Sequence, residues 1–343
     1  MTIQLHSPIT IRSLELRNRT VMAPMCQYSV DQHDGVANEW HYVHYTSRAI
    51  GGVGLIIVEM TNVEPDGRIT DRCLGLWSDE QIPALKRIVD AAHRHGARIG
   101  IQIAHAGRKA QDAATPVAPS AIAFDDKYKT PRALTTEEVK GMVVKFGEAA
   151  RRAVEAGFDT IELHGAHGYL IHQFHSAIAN KREDEYGQDR TLFGREVIRE
   201  VKKRMPDGMP LLFRISALEY SEGGYDLAEG IELCRAYKEV GVDVFHISSG
   251  GDGDPSPERR PVVGPGYQVH AAEAVKAALG VPVIAVGMLE EPAVAAGVLA
   301  EGKADMVAVA RGLLRDPYWA IHAIESVGGT FRDIVPAQYE RGF

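Results

Sequence analysis

The chain has 343 residues, 45% of them apolar and 24% charged, and carries a net charge of −8. This is the composition of an ordinary globular protein with a sizeable core, and the negative balance offers no clustered positive surface for nucleic acid. No apolar run reaches membrane-spanning length, since the longest, "GVGLIIVEM", is broken by Glu59. The opening "MTIQLHSPITIRS" lacks a basic stretch followed by an apolar one, and Cys26, Cys73 and Cys234 have no close spacing. The expectation is a cytoplasmic protein with reduced thiols, not a disulfide framework or a zinc or iron–sulfur site.

In chain order, "IQLHSPITIRSLELRNR" reads as a short hairpin. Apolar β-rich runs follow at Arg19–Pro24, Val53–Met60, Arg98–His105, Asp159–His164, Pro210–Ser216, Val242–Ser248, Val281–Gly287 and Asp305–Arg311. Segments of helical period lie between them. In "DEQIPALKRIVDAAHRHG", Ile82, Leu85, Ile88, Val89 and Ala92 fall on one face, with Ser78 or Asp79 as N-cap and Gly96 past the end. "TTEEVKGMVVKFGEAARRAVEAG" and "DLAEGIELCRAYKEVG" read the same way, and "EEPAVAAGVLAEG" adds a helix with Pro292 in its first turn and Gly302 as its stop. "TPVAPSAIAFDDKYKTP" reads as one long loop over the mouth of the fold.

Continuous Val/Ile/Leu strands separated by helices imply parallel pairing, and eight such pairs predict an α/β fold, a (β/α)8 barrel occupying residues 1–343 as one domain. An open doubly wound sheet is disfavoured, because neither "GGVGLI" nor "GGDGDP" completes a G-x-G-x-x-G turn.

Barrel chemistry gathers where strands end. Those ends read Pro24-Met25-Cys26, Glu59-Met60, Gln102 to His105, His164, Arg214, His246 to Gly251, Gly287 and Ala310-Arg311-Gly312. Gly287, Ala310 and Arg311, on strands seven and eight, suit a phosphate group. Arg214 interrupts the apolar "LLFRIS", so its charge needs a partner, and Gln102 offers donors and an acceptor to a planar heterocycle. His164 and His167 leave three readings open. They are metal ligands lacking a complete set, a structural polar loop, or two donors to one oxygen with Tyr169 as a nearby acid. His172 and His175 have no assignable role.

"HGAHGYLIHQFHSAIANKREDEYG", "APMCQYS", "IQIAHAGRKA" and "ARGLLRDPYW" together resemble the Old Yellow Enzyme family of flavin-dependent ene-reductases, and "CQY" with the terminal "QYERGF" resembles its thermophilic-like branch. The resemblance runs nearly end to end. It implies non-covalent FMN in the barrel mouth, reduced by NADPH or NADH and reoxidised by a small activated alkene. Ala23, Pro24, Met25, Cys26, Met60, Gln102, Arg214, Gly287, Ala310 and Arg311 would then hold the cofactor. His164 and His167, with Tyr28, would bind a substrate carbonyl, and Tyr169 would supply a proton. No metal is implied. Arg341 would reach a neighbouring subunit's site, making a homodimer or homotetramer. Met60, Ile69 and Phe343 depart from the family pattern, which would crowd the flavin, alter the substrate pocket and change the tail.

Overall fold

The computed structural model describes residues 3–343. Strands β1 (Ile9–Ile11) and β2 (Leu14–Leu16) form an antiparallel hairpin, as its sequence predicts. The barrel then opens with β3 (Thr20–Met22), helix α1 (Glu39–Ile50), β4 (Leu55–Asn62), α2 (Ile82–Arg94) and β5 (Arg98–Ala104). Short strands β6 (Val117–Ala118) and β7 (Arg132–Ala133) bracket the long loop and pair with each other in parallel, a ladder the sequence did not suggest. The remainder is α3 (Thr136–Ala156), β8 (Thr160–Gly165), α4 (Leu170–His175), α5 (Glu185–Gln188), α6 (Leu192–Arg204), β9 (Leu211–Ser216) and α7 (Leu227–Glu239). It continues through β10 (Val244–Ser248), α8 (Val269–Leu279), β11 (Val283–Ala285), α9 (Pro292–Ala300), β12 (Met306–Val309), α10 (Arg311–Arg315) and α11 (Trp319–Ser326).

Eight of these strands close into a barrel in the order β3-β4-β5-β8-β9-β10-β11-β12, all neighbours parallel. The expected (β/α)8 architecture is therefore present. Local chemistry sets the helix starts. Thr135 and Glu138 form a reciprocal capping box on α3, and Asp226 and Glu229 do the same on α7. Ser78 caps a short 3-10 turn that leads into α2, so the expected helix begins one turn later than its pattern. α9 ends at Ala300, two residues before the expected stop.

Candidate active site

The barrel register lines up a polar floor on consecutive strands. Gln102 of β5 pairs with Glu162 of β8, His164 of β8 with Arg214 of β9, and Arg214 with His246 of β10. Because side chains alternate along a strand, Glu162 and His164 point to the same side. The Gln102 amide donates to Glu162 Oε1 at 2.7 Å, leaving its oxygen as an acceptor, and His246 Nδ1 lies 2.8 Å from Glu162 Oε2. Glu162 is a functional candidate that sequence reasoning missed. Its signal was a carboxyl group inside a fully buried strand, the same kind of signal that marked Arg214. Arg214 Nε is buried without a hydrogen-bond partner, and desolvation lowers the guanidinium pKa, with Glu162 acting against that shift.

After β8 the chain turns sharply. His167 has φ 59° and Gly168 φ 71°, so two successive residues occupy the left-handed region, which a non-glycine residue enters at a cost. Contacts from three other strand ends hold this turn. Lys109, just past β5, donates to the carbonyls of His167 at 2.8 Å and Gly251 at 2.6 Å. Ser216 Oγ, on β9, accepts the His167 N–H at 3.2 Å, and Ser248 Oγ, on β10, lies 2.7 Å from His167 Nε2. The ring centroids of His164 and His167 are 5.1 Å apart at 86°, while His164 and Tyr169 are 5.0 Å apart at 66°. His164 Nδ1 accepts the Ala166 N–H at 3.3 Å, so its proton resides on Nε2.

Burial pushes both imidazoles well below the ordinary histidine value of 6.5, with Arg214 adding to the shift, so both are neutral donors. Burial likewise raises the Tyr169 phenol well above 10, keeping it protonated. Desolvation lowers Lys109 to about 8, and its ammonium stands 5.6 Å from the Tyr169 ring centroid.

The opposite wall is apolar. Met60, Ile69, Cys73, Ala104, Ala106, Ala110 and Ala113 form one buried cluster against which Cys26 and Tyr169 pack. Met60 reaches it from an irregularity in the β4–β5 register between Val58 and Thr61, the kind of bulge that re-aims a side chain. Ala23, Pro24, Met25 and Cys26 follow β3, and Tyr28 has φ 50°, another left-handed residue. The Cys26 thiol is raised well above its ordinary value, first by a hydrogen bond with Cys73 and then by burial, which suits a contact residue better than a nucleophile. Behind this segment, buried Glu59 accepts the Gln27 N–H at 2.8 Å and the Tyr45 O–H at 3.1 Å, and desolvation raises its pKa to about 8.

Between these walls and β11–β12 lies a cavity of about 290 Å³. Arg214, Gln268, Gly287, Met288, Ala310 and Arg311 line it, together with His167 and Ser248. Gln268 Oε1, like Arg214 Nε, is buried without a partner. Gly287 has φ 121°, and an added Cβ there would press on Gln268 at 3.3 Å. An unpartnered donor, an unpartnered acceptor and a second arginine on one polar cavity are a fit for FMN, with its hydroxyls, ring heteroatoms and anionic tail. Thirteen of the expected site residues thus come together at one barrel mouth: Ala23, Pro24, Met25, Cys26, Met60, Gln102, His164, His167, Tyr169, Arg214, Gly287, Ala310 and Arg311.

Arg341 is separate. It lies on the exposed 3-10 turn Ala337–Gly342, flanked by Tyr339 packed on Tyr318 and Phe343 packed on His322, and it does not line the cavity. Among the described residues, the one trio with metal-ligand spacing is His172, Glu219 and Asp252, which includes neither His164 nor His167. Among the described residues, no helix is long and apolar enough to cross a membrane.

Residues 4–327 match the NADH:flavin oxidoreductase / NADH oxidase family. The chain is 46% identical to NADPH dehydrogenase of Listeria innocua over 99% of both chains. It is also 46% identical to NADPH dehydrogenase of Bacillus subtilis over 100% of both. Among solved structures, morphinone reductase in complex with tetrahydroNAD superposes with a TM-score of 0.79 at 28% identity, covering 96% of this chain and 92% of that one.

Proposed function

The chain belongs to the NADH:flavin oxidoreductase / NADH oxidase family, and from that premise we propose that it reduces the activated C=C bond of α,β-unsaturated carbonyl compounds. It is an FMN-dependent oxidoreductase of the Old Yellow Enzyme type that draws electrons from NAD(P)H. The observation that carries the finer reading is the juxtaposition of two neutral imidazoles with a protonated tyrosine against an apolar wall.

FMN, when bound, would supply the hydride-transfer chemistry between NAD(P)H and the alkene. Gln102, Arg214, Gly287, Ala310 and Arg311 would hold it, with residues 23–26 and Met60 closing its other side. His164 Nε2–H and His167, aided by Tyr28, hold the substrate carbonyl oxygen. Hydrogen bonds to that oxygen draw electron density from the β-carbon and stabilise the charge that develops on oxygen. Tyr169 then transfers its phenolic proton to the α-carbon and is reprotonated from solvent, so one hydride and one proton add across the double bond. Neutral imidazoles suit this role across the physiological pH range, since no proton must be lost or gained for them to donate. The alanines and Ile69 suit the hydrocarbon part of an enone.

The proposal extends to nitro compounds, whose oxygens offer the same acceptor geometry. We also read residues 1–343 as one cytoplasmic FMN-binding domain that assembles as a homodimer or homotetramer, with Arg341 completing a neighbour's site. Light scattering should then give at least a dimer, and Arg341→Ala should raise the substrate KM. The decisive experiment is spectroscopic. Purified protein should be yellow, bleach with NADPH, and regain colour on adding cyclohexenone or maleimide. A colourless protein that takes up no FMN would sink the proposal.

A further inference from the structure

Beneath the turn that carries His167 and Tyr169 lies a second set of buried polar groups that the chemistry above leaves unused. The Gly168 N–H donates to His172 Nδ1, on α4, at 2.9 Å. Because Nδ1 accepts, the ring proton is on Nε2, which donates to Glu219 Oε1 at 3.0 Å. Glu219 is itself fixed at both ends: Oε2 accepts the Tyr225 N–H at 3.0 Å, and its own N–H donates to the Tyr225 carbonyl at 3.0 Å. The Tyr225 O–H donates to the carbonyl of Ser216, the residue whose Oγ receives the His167 N–H. His172 and Glu219 are both fully buried, at 0% and 2% exposure.

The ligand atoms of His172, Glu219 and Asp252 approach within 4.8 Å of one another, which raises the question of a metal. Both nitrogens of His172 are already committed, however, and Arg108 Nη2 binds Asp252 Oδ1 at 2.8 Å. Asp252 Oδ2 has no partner, but a metal there would have to displace the Gly168 or Glu219 contact and face a buried guanidinium. The geometry describes a hydrogen-bond relay.

We infer that the Glu219–His172 pair is a positioning device that fixes the Gly168 peptide N–H, and through it the angle at which His167 and Tyr169 meet the substrate. The inference rests on the reading that those two residues act on the substrate. His167 holds a left-handed backbone that is costly for a non-glycine residue, and a turn built that way relaxes when the buried Gly168 N–H loses its acceptor. His172 touches no reacting atom in this account; it acts through the turn.

The test compares His172→Ala with His172→Asn in the FMN-loaded enzyme. Both lose the contact to Glu219, but asparagine Oδ1 stands where Nδ1 stood and still accepts from Gly168. His172→Ala should slow alkene reduction in single turnover about tenfold and weaken binding of the unreactive ketone cyclohexanone about as much, while His172→Asn stays within about threefold on both. Equal losses in the two variants, tracking their melting temperatures, overturn the inference. Should His172→Ala fail to fold, Glu219→Ala and Glu219→Gln repeat the comparison, since only glutamine keeps an acceptor for His172, and equal rates again overturn it. Tyr169→Phe is measured alongside. If it reduces alkenes normally, the reading of the site falls and this inference with it; if it is slow while His172→Ala is not, only this inference falls.

Discussion

His164 and Tyr169 meet ring edge to ring face, their centroids 5.0 Å apart, although one ends a barrel strand and the other caps the helix after the turn. A carbonyl donor and a proton donor are thereby held a few ångströms apart by a turn of four intervening residues. Tyr169→Phe removes one hydroxyl and leaves the ring. Alkene reduction should slow by roughly 100-fold or more, the usual worth of a placed acid, while flavin reduction by NADPH keeps its rate. Stopped-flow measurement of the two half-reactions separates these outcomes, and equal losses in both would refute the acid role.

Arg214 gives a prediction that separates stability from binding. Its buried Nε has no partner within the chain, so the charge stabilises the protein little on its own account. Arg214→Met should leave the melting temperature of flavin-stripped protein within a few degrees of the parent. It should weaken FMN binding by roughly 10- to 100-fold, the loss of a charge-assisted contact. Equilibrium titration with FMN and a thermal melt decide it; unchanged affinity would remove Arg214 from the cofactor site.

Gly168 is a position where space and backbone agree. With φ at +71°, an added Cβ would fall 2.3 Å from the Gly251 carbonyl oxygen, 2.9 Å from Lys109 Nζ and 3.0 Å from Asp252 Oδ1. Gly168→Ala should therefore destabilise the protein by about 2 kcal/mol or more and impair substrate binding beyond that loss. A denaturant titration beside a KM measurement would check both parts.

Acid sensitivity follows from six histidines whose pKa values are depressed in the folded chain. His41 is lowered to about 4 and His44 to about 3, and His164, His167, His175 and His246 are also lowered, burial being the first cause in each. On unfolding each regains a pKa near 6.5, so below that pH the unfolded chain binds more protons and stability falls as pH falls. Glu59, raised to about 8 by desolvation, acts in the opposite sense between 4.5 and 8, but as one group against six. The unfolding free energy should therefore decline below pH 6.5 with a slope steeper than the ~1.4 kcal/mol per pH unit of a single group. Denaturant titrations from pH 5 to 7.5 measure that slope, and a flat profile would contradict the burial of these rings.

Strand identity was legible because parallel strands covered on both faces must be apolar throughout, as "LIIVEM" and "IGIQIA" are. Strand ends were less so. Asp305–Arg311 contracts to Met306–Val309 and Val281–Gly287 to Val283–Ala285, because ladder bonding stops before the polar ends that lead to the site. The mouth residues were named from strand ends and family motifs, whereas their partners were not. Glu162 became meaningful only when Gln102 and His246 flanked it, and Lys109 only when it bridged His167 and Gly251. The His172 contact lies just four residues from Gly168, yet its orientation depends on Glu219, far along the chain. Such pairings arise from closure of the barrel, which no local pattern encodes.

The shared level of His164, Arg214 and His246 on adjacent strands has a mechanical consequence. Their spacing is that of the backbone ladder itself, and a slip of one residue would turn each side chain away from its neighbours. Insertions or deletions in these strands should thus abolish the site outright. The 115–131 loop lies outside the barrel ladder and carries no such register constraint, so changes in substrate shape fall there, against an unyielding base.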